Sequence, residues 1–122
     1  MPEARFLVEV VGGVPVVTTP EEIDITSAPG LRTALLDAAA HGPGPVVVDM
    51  SGTQFCDSAG LHVLIRAHKQ ARAAGDDVLV VIAATAVLRI FAISGLDRII
   101  PNFSTLEEAL ARTFVTPSVQ QG

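Results

Sequence analysis

Asp57-Ser58-Ala59-Gly60-Leu61 is the stretch of this chain whose residue types and spacing are best suited to chemistry. It follows an apolar run, Val46-Val47-Val48-Asp49-Met50, and a short polar loop, and it opens a segment with helical spacing. That puts the Ser58 hydroxyl at the positive end of a helix dipole, where free amides and the dipole tolerate an added phosphate of about −1.5 to −2 charges. The same pattern suits an ordinary N-cap, with Asp57 or Ser58 accepting from first-turn amides, and the two roles are compatible. The chemistry expected is that of a switch: a charge on Ser58 leaves the fold intact and blocks or repels whatever binds there.

Signals for catalysis are absent from the sequence. Ser58 is not in a Gly-x-Ser-x-Gly elbow, and the nearest imidazole, His62, is one turn along the same helix, which argues against a serine hydrolase. His41, His62 and His68 lack metal-ligand spacing and have no cysteine cluster beside them. Neither a Gly-x-x-x-x-Gly-Lys-[Ser/Thr] loop nor a Gly-x-Gly-x-x-Gly turn occurs, so nucleotide binding has no motif. No catalytic residue, metal or cofactor is expected. Asp24 reads as a turn residue able to bond its own backbone.

The elements that must position these residues follow from periodicity. Arg5 to Val11 and Val14 to Thr18 are β-rich runs, and Gly12-Gly13 between them suits a tight hairpin. Pro20 to Asp24 reads as a polar connection. Thr26 or Ser27 can cap a helix with Pro29 in its first turn and Leu31, Leu35, Ala38 and Ala39 as its apolar stripe; His41-Gly42-Pro43-Gly44-Pro45 stops it. Pro45 to Met50 reads as a strand buried on both faces, since it is β-branched without alternation. From Ser58 to about Ala74 the spacing is helical, with Leu61, Leu64, Ile65, His68 and Ala71 on one face and His62, Arg66 and Lys69 toward solvent.

Asp77 to Ala83 predicts another buried strand, Ala86 to Ser94 a helix stopped by Gly95, and Arg98 to Pro101 a short edge strand. Ser104 to Thr113 predicts a last helix, with a capping box in Ser104-Thr105-Leu106-Glu107. The order ββαβαβαβα predicts an α/β fold with a mixed, mostly parallel sheet and helices packed on it. One domain over residues 1–112 and a flexible tail over 113–122 are expected.

Composition narrows the partners. The 122 residues are 49% hydrophobic and 17% charged, with five Phe and no Trp or Tyr, so the core must rest on Val, Ile, Leu and Ala. A net charge of −5 gives no footprint for nucleic acid or an anionic membrane. A single cysteine excludes an intramolecular disulfide and fits a reducing cytosol. The apolar run Val78 to Leu88 is well short of the roughly 20 residues that span a bilayer. With no signal-peptide pattern at Met1-Pro2-Glu3-Ala4-Arg5, a cytoplasmic protein is expected.

Val46-Val47-Val48-Asp49-Met50-Ser51-Gly52, followed by Phe55-Cys56-Asp57-Ser58-Ala59-Gly60-Leu61, resembles the signature of the STAS domain, specifically that of the bacterial anti-sigma factor antagonists. Glu22-Ile23-Asp24 stands where that family usually has Gly-Glu-Leu-Asp. Residues 88–97 resemble its third helix and residues 105–110 its last, so the resemblance covers nearly the whole chain. It implies a partner-switching phosphoprotein of stress response or sporulation that performs no chemistry of its own. Ser58 would be phosphorylated by an anti-sigma factor that is itself an ATP-dependent serine kinase. The unphosphorylated form would bind that kinase and free a sigma factor, and a PP2C-type serine phosphatase would reset the switch.

Asp24, Asp57, Gly60, Leu61 and His62 would form the partner-binding surface around Ser58 on this resemblance, and Cys56, at a position the family usually fills with an apolar residue, would be a small buried hydrophobe. Three positions depart from the family pattern: Ala59 replaces a frequent second hydroxyl, His62 a frequent glycine, and Glu21, after Pro20, the usual glycine. The alternative that keeps the fold is a STAS scaffold or ligand-sensing module in a regulatory complex without a phospho-switch.

Overall fold

The computed structural model describes residues 5–113. Strands β1 (Leu7–Val11) and β2 (Val14–Thr18) form the expected antiparallel hairpin, closing on Val11 paired with Val14. Gly12 and Gly13 sit at φ 58° and 84°, the left-handed conformations that a two-residue turn matching strand twist demands. β2 pairs in parallel with β4 (Val46–Met50), β4 with β6 (Val78–Ile82), and β6 with β7 (Asn102–Phe103), giving the order β1-β2-β4-β6-β7.

A second, two-stranded parallel sheet joins β3 (Glu22–Ile23) to β5 (Phe55–Cys56). The helices are α1 (Ala28–Ala39), α2 (Ser58–Ala73), α3 (Thr85–Ser94) and α4 (Leu106–Thr113). The expected tail from residue 113 lies outside the described residues, apart from Thr113, which closes α4.

Strand pleating divides the core into two layers. Val17, Val48, Met50, Val80 and Ile82 project to the face covered by α1, α2 and α3. Val16, Val47, Leu79 and Val81 project to the other, covered by Ala109, Leu106 and Leu110 of α4. This explains why β4 and β6 lack alternation: helices cover both sides of them. α2 is anchored by Leu61 and Leu64; full burial of such side chains contributes about 1.5–3 kcal/mol each, far above helix propensity differences.

Five expectations are corrected. Pro20 to Asp24 is not only a connection, since Glu22 and Ile23 form β3. The edge strand lies at Asn102–Phe103 rather than 98–101, because Gly95 at φ 81° starts a 3-10 turn over Leu96–Arg98. The Ile99 and Ile100 amides then close on the Leu96 carbonyl, at 3.0 and 2.9 Å, and bury Ile100 from a turn.

In α1 the inward stripe is Ala28, Leu31, Ala34, Leu35 and Ala38, while Ala39 is exposed; Ser27 is the N-cap residue but its side chain makes no capping bond. In α4 the capping box is shifted by one residue: Thr105 Oγ1 accepts from the Glu108 amide at 3.1 Å, and Glu108 Oε1 accepts from the Ser104 amide at 3.0 Å.

Candidate functional site

The loop between β4 and α2 is built by hydrogen bonds that the sequence pattern does not display. Asp49 Oδ1 accepts from the Ser51 amide at 3.0 Å, and the Thr53 amide donates to the Met50 carbonyl at 3.0 Å, turning the chain out of the sheet. Thr53 is fully buried, and its hydroxyl donates to the Pro20 carbonyl at 2.6 Å. That uses its one proton, so at 2.5 Å it accepts from the Thr19 hydroxyl. The two threonines tie the end of β2 to the loop that precedes the serine.

β3 and β5 continue the join. The Glu21 carbonyl accepts from the Gln54 and Phe55 amides at 2.7 and 3.3 Å, and the Ile23 carbonyl accepts from the Asp57 amide at 3.1 Å. Asp24 and the Asp57-Ser58 pair therefore leave adjacent strand ends, and the structure brings together three residues singled out from the sequence. The departure at Glu21 acts through its backbone, its side chain being exposed.

Asp57 is the N-cap of α2. Its Oδ1 accepts from the Ala59 and Gly60 amides at 2.9 and 3.3 Å, and its carbonyl from the Leu61 amide at 3.1 Å. Ser58 is the first helical residue, exposed, and its hydroxyl bonds to none of the described residues. Two of the first-turn amides expected to be free for a phosphate, those of Ala59 and Gly60, are thus already taken by the Asp57 carboxylate. That expectation for Ser58 is corrected accordingly: a phosphate there would share the helix start with a carboxylate that already caps it.

Asp24 forms the turn expected of it. Its Oδ1 accepts from the Thr26 hydroxyl at 2.6 Å and from the Thr26 and Ser27 amides at 3.0 and 3.1 Å. These bonds, the Thr26 hydroxyl first and the Ser27 amide next, hold its pKa below the usual carboxylate value. It thereby also orders the entry to α1, the task expected of a Thr26 or Ser27 cap.

Gly60 and Leu61 are buried, so neither offers a side chain to a partner. A Cβ on Gly60 would lie 2.7 Å from Cys56 Sγ and 2.8 Å from Ile23 Cγ2, so the glycine lets the start of α2 press onto β3 and β5. Cys56 is buried as expected; burial first, and the Asp57 charge second, push its thiol pKa up to about 12. His62, Arg66 and Lys69 are exposed on α2, as expected. His68 is buried with Nδ1 unpartnered, and burial, the largest influence, lowers its pKa.

Two neighbours of the site were not picked out from the sequence. Ile25, following Asp24, is 74% exposed, and Phe55, in β5, is 48% exposed. A large apolar side chain inside an otherwise polar connection was the available signal for both. Around Ser58 the surface is therefore apolar at Ile25 and Phe55 and acidic at Asp24, Asp57, Glu21 and Glu22, suited to a partner that buries apolar area and presents positive charge. Among the described residues no group of three His, Cys, Asp or Glu side chains could hold a metal ion, and no helix is long and apolar enough to cross a membrane.

Known proteins resemble this chain in sequence and fold. The anti-sigma-F factor antagonist RsfB of Mycobacterium tuberculosis (strain H37Rv) is 33% identical over 100 residues, covering 80% of each chain. The crystal structure of an anti-sigma factor antagonist from Mycobacterium paratuberculosis superposes with a TM-score of 0.84 at 32% identity, covering 91% of this chain and 94% of that one. The antagonist SpoIIAA in its unphosphorylated form shares the fold, with a TM-score of 0.71 at 22% identity over 92% of this chain and 100% of that one. The sequence over residues 5–109 matches the STAS domain family, and the mixed sheet, its four helices and the α2 start built on β3 and β5 give the fold of that family, to which this chain belongs.

Proposed function

We propose that this protein is an anti-sigma factor antagonist whose unphosphorylated form binds an anti-sigma factor serine kinase and so releases a sigma factor. ATP-dependent phosphorylation of Ser58 reverses the binding, and a PP2C-type serine phosphatase restores it. The protein acts as a kinase substrate in the cytoplasm and needs no cofactor. Asp24, Asp57 and His62 contribute side chains to the partner surface, while Gly60 and Leu61 position the start of α2 beneath it.

The observation that carries this reading is an exposed serine hydroxyl at the first position of α2, held beside the Asp24 turn by the β3–β5 join. A partner burying Ile25 and Phe55 must strip water from whatever Ser58 carries. For a hydroxyl this is a small cost, but for a near-dianion beside Asp57 it is prohibitive unless the partner supplies matching charge. Phosphorylation therefore acts on the contact surface and leaves the core untouched.

Binding to the cognate anti-sigma factor, measured by calorimetry, tests the reading. Ser58→Ala should bind persistently in the presence of ATP, and Ser58→Asp should bind weakly. Equal binding by both variants would favour a scaffold without a phospho-switch.

A further inference from the structure

β1 is an edge of the five-stranded sheet, and among the described residues no strand pairs with its outer side. A two-residue turn closes on a hydrogen-bonded pair, here Val11 with Val14, and such pairs alternate along an antiparallel ladder. Glu9 and Leu7, opposite Val16 and Thr18, therefore direct their backbone groups at β2. Val8 and Val10 turn theirs to the open side. Natural edge strands are commonly blunted by lysine, proline or a bulge. β1 has none of these: its sequence is Leu-Val-Glu-Val-Val and its register with β2 is unbroken.

Charge selects the occupant of that edge and its register. Arg5, Leu7 and Glu9 alternate along the chain and are all exposed, Leu7 by 55%, because α4 packs over β4, β6 and β7 and does not cover them. Among the described residues the only ion pair is Arg72–Asp77, so Arg5 and Glu9 are unpaired within the chain. When two copies of β1 pair antiparallel, residues with outward backbone groups must face each other, so the two-fold axis passes through a residue. Centred on Glu9, the two carboxylates would meet. Centred on Val8, Glu9 would face Leu7 and Arg5 would face Val11. Centred on Leu7, Arg5 of each copy faces Glu9 of the other, and no other centre pairs these charges. The same register sets Leu7 against Leu7 and lets Phe6 exchange backbone bonds with Val8.

We propose that β1 is a self-association surface, on which a second copy of this chain pairs antiparallel about Leu7, with pairing extended through Phe6 and Arg5. The two sheets then join edge to edge. The contact is one strand wide, smaller than the roughly 1,200–2,000 Å2 of stable interfaces, so the dimer is weak and forms as concentration rises. It is independent of the proposed switch, since Ser58 stands on α2 and takes no part in the pairing.

Sedimentation equilibrium of the full chain, from about 5 μM to 500 μM, tests this. A reversible monomer–dimer equilibrium is the expected result. Arg5→Glu or Glu9→Arg alone sets like charges opposite each other at both symmetric positions, and each should weaken association at least about tenfold. The double variant Arg5→Glu/Glu9→Arg should restore it. Leu7→Lys, at an exposed position, should give a monomer with an unchanged far-UV spectrum, and Ser58→Asp should associate as wild type does. A monomer throughout, single charge variants that associate like wild type, a double variant no better than the singles, a dimer that survives Leu7→Lys, or loss of association in Ser58→Asp would overturn the proposal.

Discussion

The Asp57 amide donates to the Ile23 carbonyl at 3.1 Å, and with Ile23 opposite Cys56 this bond brings the end of β3 beside the start of α2. Asp24 and Asp57, 33 positions apart in sequence, thus follow adjacent strands, with Ser58 next along the chain. The site is thus a junction of two strand ends, and its geometry depends on how closely α2 packs beneath it.

Gly60 should be the most sensitive position of that junction. Gly60→Ala forces a methyl into Cys56 and Ile23, so a loss of about 1–3 kcal/mol is expected in urea unfolding. Adding Cys56→Ala, which removes the 2.7 Å neighbour, should recover part of the loss, giving a double variant less destabilised than Gly60→Ala alone.

Asp57 is expected to act as a cap that does not need its charge. Asp57→Ala should cost about 0.5–2 kcal/mol, whereas Asp57→Asn, whose amide oxygen can still accept from Ala59 and Gly60, should lose only a fraction of that. Thermal and chemical unfolding of the two variants checks the difference.

Phosphorylation at Ser58 should neither stabilise nor unfold the protein. The Ala59 and Gly60 amides are committed to Asp57, and the serine is at the surface, so Ser58→Asp should stay within about 0.5 kcal/mol of wild type with an unchanged far-UV spectrum. A clear stabilisation would mean that the added charge displaces Asp57 from the helix start.

Acid should weaken the Asp24 turn. Because hydrogen bonds lower its pKa in the folded state, the stability it contributes is present above its ordinary value of about 3.9 and is lost as pH falls through the lowered one. The stability gap between wild type and Asp24→Asn should therefore be constant near neutrality and shrink on acidification below that ordinary value, as unfolding midpoints measured from pH 7 to pH 2 will show.

Cys56 should be inert in the native protein. With its pKa near 12 and its side chain buried, iodoacetamide at pH 8 should label it only after denaturant is added.

The sequence made the large elements legible because each carries its own periodic signal: the Gly12-Gly13 hairpin, the unalternating β4 and β6, and the i, i+3 spacing of Leu61 and Leu64. Ser58 and Asp57 were legible for the same local reason, as a helix start. What stayed hidden depends on partners distant in sequence. β3 and β5 are two residues each and exist only by pairing with one another; Thr19 and Thr53 look like ordinary loop threonines until they meet 34 residues apart. Gly60 gave no sign that a side chain there would strike Ile23. The edge strand was misplaced because Ile99-Ile100 has the composition of a strand, while Gly95 commits the chain to a turn first.

On the proposed function Ser58 carries the switch, and phosphate mapping tests this most directly. The protein is incubated with the proposed anti-sigma factor kinase and ATP, digested, and the phosphopeptides are sequenced by mass spectrometry. One phosphate on Ser58, absent from Ser58→Ala, is the predicted result. Labelling of Ser58→Ala to the same extent as wild type would contradict it.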